Sequence, residues 1–595
     1  MKQAALFNFA PIPSAIEVRE AVPLPTYRYV NRAAEFVPFV SELCAAPVLA
    51  IDTETTGLDP LTDRIRLLQI AAPGLPVFVL DLFHLTDLAP VQEVLASNHV
   101  KVFQNAKFDL KFLSRAGLEV GGQLFDTMLA GQIISCGLSN QRHSLEALVA
   151  NYLKQSLSKT EQVSDWSARE LSSEQLRYAA LDAAVLLPLR EALISKLKAA
   201  DVIKCAKIEF DCVRAVAEME LAGISLNLDR WEALRKQIST VRDTLAIRLR
   251  EAFGGGFLGE INLDSPTQVQ RALAMRGIQV SGTSRWELAR FSDHPEVRLF
   301  QEYRKASKLC SAFLDTLPKF IHPQTGRLHP VYEQCLVVSG RFSCHSPNLQ
   351  QLPHDREFRA CFIPAEGHSF VIADYSQIEL RVAAQLSQDE RMMDAYRANQ
   401  DLHLLTASLI TGKPMGSVTK ADRQAAKAVN FGLLYGQGAQ GLKSYAKQSY
   451  GVDLTLADAE RFRDRFFLAY QGIATWHRQT ARNQKKIRET RTLIGRRRLI
   501  EKPLELPTLL NLPVQGTAAD ITKLALAKIL PQLAPFGAHI VGCIHDEILL
   551  ETPTDCAQEV ARLLSGAMEA AGNESLGEVP VIAEASIGQT WADKG

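Results

Sequence analysis

Between residues 27 and 130 short apolar runs alternate with polar interruptions, a pattern that predicts strands interleaved with helices. Residues 48–51, 65–71 and 77–80 are rich in Val, Ile and Leu and bounded by polar or turn residues, so each predicts a strand. Residues 101–104 predict a shorter strand, followed by a helix over 106–116. Residues 173–199 form a long amphipathic helix, with Ser172 and Gln175 spaced as a capping box at its start. Such alternation points to an α/β domain. Residues 203–320 are mostly helical, interrupted by Gly223 and the run Gly254-Gly255-Gly256. Strands return over 328–379, helices fill most of 385–530, and a final hairpin surrounds Asp546. Before Pro25 several prolines and no period predict a loose tail, and no internal repeat is present.

At 595 residues the chain exceeds one core and predicts two to four domains. With 47% hydrophobic and 22% charged residues it has ordinary globular composition, and no apolar run is long enough to span a bilayer. No secretory leader is evident, and ten cysteines without C-x-x-C spacing suit a reducing, cytoplasmic compartment. A formal net charge of zero gives no global sign of a polyanionic partner. The best local cluster is Lys485, Lys486, Arg488, Arg491, Arg496, Arg497 and Arg498, for which a solvated helix face is the ordinary expectation.

Two groups of acids carry the chemistry. Asp52 and Glu54 end the strand over 48–51 and point to one face by alternation. Asp109 follows Asn105 by four at a strand-to-helix junction, and Tyr178 and Asp182, also four apart, share a face of the long helix. Four carboxylates and a phenol can bind two divalent cations and orient a water for phosphodiester hydrolysis. Taken singly each acid would more often be a cap or a surface group. The second group begins at Asp374, emerging where the apolar strand over 369–373 ends, with Ser376 and Glu379 spaced as a capping box for the next helix. Asp546 and Glu547 lie between two further apolar runs. Two acidic strand tips brought together can align nucleophile and leaving oxygen around two cations. Between them Thr419 caps a helix on which Arg423, Lys427, Phe431 and Tyr435 recur every four residues, a stripe suited to a nucleoside triphosphate.

The order D-x-E, N-x-x-x-D, Y-x-x-x-D resembles the proofreading 3′–5′ exonucleases of the RNase H-like fold, in the variant with a tyrosine in its third motif. Leu58 matches that family's apolar residue against the terminal base. RNA-trimming relatives share this fold, so this part alone leaves the substrate open. The segments from Asp374 to Arg381, from Arg423 to Gly436, and His545-Asp546-Glu547 match the three motifs of family A DNA polymerases. Gly340-Arg341-Phe342-Ser343 with Pro347-Asn348-Leu349-Gln350 resembles that family's primer-side palm segment. Asp401-Leu402-His403 resembles part of its fingers, Asn511 with Gln515 through Asp520 its template side, and Asn262 to Pro266 with Glu302-Tyr303-Arg304 its thumb. The departures are Phe342, Cys344 and Gln351, where leucine, serine and asparagine are usual.

The resemblance implies an α/β exonuclease domain of RNase H-like fold, then an α+β polymerase domain of right-hand architecture. A tail over 1–25, an exonuclease over 26–195 and a polymerase over 196–595 are expected, with thumb about 225–335, palm about 336–385 and 505–595, and fingers about 386–504. The flank before Asp52 is too short for a 5′-nuclease domain, so a truncated polymerase with a proofreader is expected. It further implies two Mg²⁺ per site, with Mn²⁺ as a substitute. Asp374, Tyr375 and Asp546 would hold one pair, with Glu547 beside them; Asp52, Glu54, Asp109 and Asp182 would hold the other, with Tyr178 orienting water. Arg423, Lys427, His403, Phe431, Tyr435, Tyr375 and Gln377 would contact the incoming nucleotide, with Lys427 also protonating pyrophosphate and Glu379 excluding ribonucleotides. Arg341, Gln515, Asn511, His545, Leu58 and Asn105 would contact DNA. The expected partners are primer-template DNA and deoxynucleoside triphosphates, engaged by a cytoplasmic, nucleoid-associated monomer without membrane contact. An exonuclease-dominated trimming enzyme, a single-subunit RNA polymerase relative and a non-catalytic DNA-binding relic are the competing readings.

Overall fold

The computed structural model describes residues 20–157, 161, 164–254 and 261–594. The first sheet has six strands: β1 (Tyr27–Val30), β2 (Val48–Thr55), β3 (Ile65–Ala71), β4 (Val77–Asp81), β5 (Val100–Phe103) and β6 (Leu124–Asp126), in the order β1-β4-β3-β2-β5-β6. Their β-branched and aliphatic side chains are buried almost without interruption, as strands covered on both faces require. Strand β2 runs past Ile51 because its antiparallel ladder with β3 continues, pairing Asp52 with Gln69 and Glu54 with Leu67. Both acids therefore lie within a paired strand rather than beyond its tip. Helix α1 (Ala106–Arg115) follows β5, and α2 (Ser173–Ala199) starts at the expected box of Ser172 and Gln175.

Helix α3 (Ile203–Ala222) joins the two halves of the molecule, ending at Gly223 with φ +59. Cys205, Ala206, Phe210, Val213 and Ala217 pack into the core of the first sheet; Ile208, Cys212, Ala215, Val216 and Met219 pack into a second core. Apolar positions on two faces make one helix a wall of both. The division expected between residues 195 and 196 falls inside α2. A third, smaller core lies between Leu228–Ala252 and Pro295–Leu309.

The second core surrounds an antiparallel sheet of β7 (His368–Tyr375), β10 (His539–Ile544), β11 (Glu547–Pro553) and β12 (Ala583–Gly588), ordered β10-β11-β7-β12. Strand β7 is central and pairs on both sides through Asp374, opposite Glu547 and Glu584. Between β7 and β10 lie α4 (Ile378–Ser387), α5 (Leu402–Thr411), α6 (Lys420–Leu434), β8 (Glu489–Arg491), β9 (Arg497–Leu499) and α7 (Leu506–Ile529). Helix α8 (Ala557–Leu576) packs on β7 and β12. Among the described residues no helix is long and apolar enough to cross a membrane.

Three expectations are corrected, and two more fall largely outside the described residues. The tail is described only from Glu20, where Glu20–Ala21 pairs in parallel with Gln155–Ser156; Gly255 and Gly256 lie outside the described residues. Ser376 and Glu379 form no capping box: Gln377 occupies the N-cap of α4 with φ +56 and no side-chain cap bond, while the Ser376 amide bonds Ile582. Tyr435 is the C-cap of α6 rather than its last turn. The basic run is not a solvated helix face, because its second half folds into the β8–β9 hairpin, which docks on the first domain. The Leu499 amide donates to the Cys136 carbonyl at 2.8 Å, Arg497 to Ile134 at 3.0 Å, and Arg491 to Ala200 and Asp201, both at 3.0 Å.

Arg496 leaves the hairpin inward, into a fully buried network. It donates to Asp520 at 2.6 Å and pairs with Glu209 of α3, which also accepts from Lys523 at 2.6 Å and Gln334 at 2.7 Å. Thr492 completes Asp520 at 2.8 Å. Removing one partner strands a buried charge, so Arg496→Met is expected to destabilise the protein by about 3–5 kcal/mol. Arg397→Ala, which deletes a solvent-facing pair with Glu578, is expected to cost less than about 1 kcal/mol. Urea denaturation of both variants checks this; equal midpoints would contradict the network's role.

Candidate active sites

The first site grows from strand alternation. Asp52 and Glu54 project from one face of β2, and α2 crosses that face so that Asp182 offers an oxygen within 4.8 Å of one from each. Asp52 and Glu54 are raised well above the usual carboxylate range, by burial first and then by the charges of Asp109 and Asp182. Asp109, 3% exposed, is held by the Thr53 hydroxyl at 2.7 Å, and burial pushes it up to about 7. Tyr178 donates to Asp182, and burial with that neighbour keeps its phenol protonated. Carboxylate oxygens this close suit hard divalent cations.

Leu58 is 85% exposed, on a turn closed by Thr55 bonding the Gly57 carbonyl at 2.6 Å and by the Asp59 amide donating to Asp63 at 2.9 Å. Asn105 caps α1 in the left-handed region, φ +61, without a side-chain capping bond. Its turn is held by Asp126, which accepts from the amides of Asn105, Ala106, Met128 and Leu129. Thr53 and Asp126 orient Asp109, and neither belongs to a motif in the sequence. A threonine between two acids and a strand-ending aspartate carry no distinguishing spacing. On the turn that carries Leu58, Asp59 is met at 3.0 Å by His322 of the second domain.

The second site lies where β7 meets the β10–β11 turn. His545 takes φ +61, and this tight turn presents Asp546 beside Asp374. Burial, then the charge of Asp374, push Asp546 up to about 7. Asp374 Oδ1 is buried with no hydrogen-bond partner. Tyr375 turns its ring into the core, its hydroxyl on Met568 at 2.9 Å, so only its main chain faces this site. Glu547 is not a free carboxylate. It accepts from the Trp591 indole at 2.6 Å, Arg359 at 3.1 Å and Lys594 at 2.8 Å. Burial opposes its ionisation, but Lys594 and Arg359 outweigh burial and hold it below the usual range.

Glu379, freed from capping, accepts from Arg341 at 2.5 Å and from the Tyr435 hydroxyl. This contact ties the end of α6 to the carboxylate site. Gln377 accepts from Tyr396 at 3.2 Å. The other stripe residues form a separate group. Arg423 pairs with Asp401, the N-cap of α5, at 2.7 Å. Lys427 is half-buried and has no hydrogen bond or ion pair among the described residues. His403 is buried against Asn430 at 2.8 Å, its ring 5.9 Å from Phe431, and burial lowers its pKa to about 4, leaving a neutral ring. No hydrogen bond or ion pair links Arg423, Lys427 or His403 to Asp374 or Asp546. Asn511 and Gln515 are half-buried and four apart on α7, sharing one face.

The DNA polymerase family A profile matches residues 229–593, and the 3'-5' exonuclease profile matches residues 27–198. DNA polymerase I of Aquifex aeolicus is 34% identical over 597 residues, covering 95% of this chain and 99% of that protein. DNA polymerase I of Pseudomonas aeruginosa is 30% identical over 616 residues, covering 95% of this chain and 66% of its own length. The POL domain of Pol1 from M. smegmatis, solved in complex with DNA primer-template and dNTP, superposes with a TM-score of 0.80 at 26% identity, covering 95% of this chain and all of that one. Two acidic clusters in the expected order, matched along nearly the whole chain, place this protein in DNA polymerase family A, as a template-directed DNA polymerase with a 3′–5′ exonuclease.

Proposed function

We propose that each cluster binds two divalent cations, Mg²⁺ by preference with Mn²⁺ as a substitute. The polymerase pair is held by Asp374, Asp546 and the main chain of Tyr375; the exonuclease pair is held by Asp52, Glu54, Asp109 and Asp182. The observation that supports this is the convergence of Asp374 and Asp546, with one buried Asp374 oxygen left without a partner. Bound there, the cations supply Lewis-acid activation of the attacking oxygen and charge stabilisation at the reacting phosphate.

The chain's own groups do the rest. Arg423, released from Asp401, pairs with the triphosphate. Lys427, already unpaired, both binds the triphosphate and carries the proton for the departing pyrophosphate. His403, being neutral, contributes a hydrogen bond rather than charge. Phe431 and Tyr435 close on the nascent pair and Gln377 contacts the nucleotide, Arg341 and Gln515 bind acceptors common to all correct pairs in the minor groove, and Asn511 and His545 contact the DNA. At the exonuclease site Leu58 and Asn105 hold the 3′ end and Tyr178 orients the water. Glu547 serves as the counter-ion of Arg359 rather than as a cation ligand. The thumb, palm and fingers bounds given above, a monomeric state, and a cytoplasmic, nucleoid-associated location complete the proposal.

Primer extension with deoxynucleotides and ribonucleotides supplied separately tests the reading directly. The double variant Asp52→Ala, Glu54→Ala is expected to abolish 3′ trimming and leave extension near normal, because the two clusters belong to different cores. Loss of both activities together would refute independent sites. Glu379→Ala is expected to admit ribonucleotides and also to slow correct incorporation, since it releases Arg341 and Tyr435. Unchanged sugar discrimination in single-turnover assays would leave Glu379 as a structural link only.

Metal requirement is expected to depend on pH with a definite sign. Asp109 and Asp546 lie near 7, so below that pH each holds a proton that a cation must displace. The half-saturating Mg²⁺ for both activities should therefore rise as pH falls from 8 to 6, by up to roughly tenfold per unit for each proton displaced. A requirement that stays flat over this range would be inconsistent with these carboxylates as ligands.

A further inference from the structure

Lys594 lies beyond β12, outside every motif used above. Its ammonium contacts Asp374 Oδ2 and, at 2.8 Å, Glu547 Oε2. The contact is built rather than incidental. A single turn over Trp591–Asp593 precedes Lys594, closed by a capping box of Thr590 and Asp593. Asp593 also accepts the Gln589 amide at 2.9 Å, and Gly588 lets the turn close, since a Cβ there would lie 2.3 Å from the Asp593 Cβ. Trp591 is buried edge-on to Phe362 at 5.3 Å, with its indole on the other oxygen of Glu547. Trp591 and Lys594 thus grip one carboxylate from two sides, and the lysine reaches across it to Asp374.

The two acids differ in what else they hold. Glu547 keeps Arg359 and Trp591 if Lys594 withdraws. Asp374 has no other cationic partner among the described residues, and its second oxygen is unpaired. A divalent cation arriving at Asp374 meets an ammonium already in contact, and two positive charges on one carboxylate repel.

We propose that Lys594 is a resident counter-ion that competes with the divalent cation for Asp374. It neutralises Asp374 and Glu547 together, and it stays on Glu547 while giving up Asp374 when a cation binds. Lys594 is a positioning residue, not a catalytic one, and it sets how much cation the polymerase site needs. This inference rests on the metal reading of Asp374 given above.

The test uses the full chain carrying Asp52→Ala and Glu54→Ala to silence the other cluster. Binding of Mn²⁺ alone, without DNA or nucleotide, is followed by electron paramagnetic resonance. Lys594→Met is expected to tighten Mn²⁺ binding by roughly two- to five-fold, the range for an ion pair with a one-third exposed lysine. Its half-saturating Mg²⁺ for extension should fall by the same factor, and Lys594→Arg should restore both parental values. Unchanged or weakened Mn²⁺ binding in Lys594→Met overturns competition. Mn²⁺ binding that survives Asp374→Ala instead overturns the metal reading, and the proposal with it, so the two failures are distinguishable.

Discussion

Like-charged carboxylates a few ångströms apart in a poorly solvated site repel by several kcal/mol, and both halves of this chain are arranged to hold them there. Burial is the first cause of Asp109 and Asp546 lying near 7 and of Asp52 and Glu54 standing above the ordinary range, and neighbouring carboxylates add to it. Such crowding persists only on a frame stiffer than the repulsion. In each half that frame is a strand paired on both sides: β2 between β3 and β5, and β7 between β11 and β12.

The two sites meet the same repulsion differently. At the first, neutral hydroxyl donors do the holding, Thr53 on Asp109 and Tyr178 on Asp182, while Asp126 accepts the amides of the turn that carries Asp109. At the second, protein cations share the task, with Arg359 and Lys594 on Glu547, Lys594 on Asp374 and Arg341 on Glu379.

A shared helix and a buried ionic network join the two halves. Helix α3 contributes a face to each core, and Glu209 on it anchors Arg496 and Lys523 of the polymerase half. The β8–β9 hairpin adds one main-chain bond, Leu499 to Cys136, and the Arg491 and Arg497 side chains on main-chain carbonyls across the same junction. A buried ionic network is a weak source of net stability but a strict one for geometry, because misplacing any member leaves a charge unsatisfied. It lies beneath Gly340, whose missing Cβ would collide with the Arg496 side chain, and so supports the loop that carries Arg341.

Local order was written in the chain. Strand β3 and helix α2 followed from apolar periodicity, the caps of α2 and α6 from side-chain spacing, and the two acidic groups from motifs whose members sit within a few residues of each other. These depend on neighbours along the backbone, which sequence records. Only the tertiary structure decided the rest. Ser376 and Glu379 have capping-box spacing, yet Gln377 turns left-handed and Glu379 answers to Arg341, 38 positions away, and to Tyr435, 56 away. The arginines of the basic run look solvated in sequence, but Arg496 is buried by acids from α3 and α7, 287 and 24 positions distant. Lys594 carries no motif at all, and its partner Asp374 is 220 positions away. A long charged side chain takes its role from whichever opposite charge folding brings near, and linear spacing holds no trace of that choice.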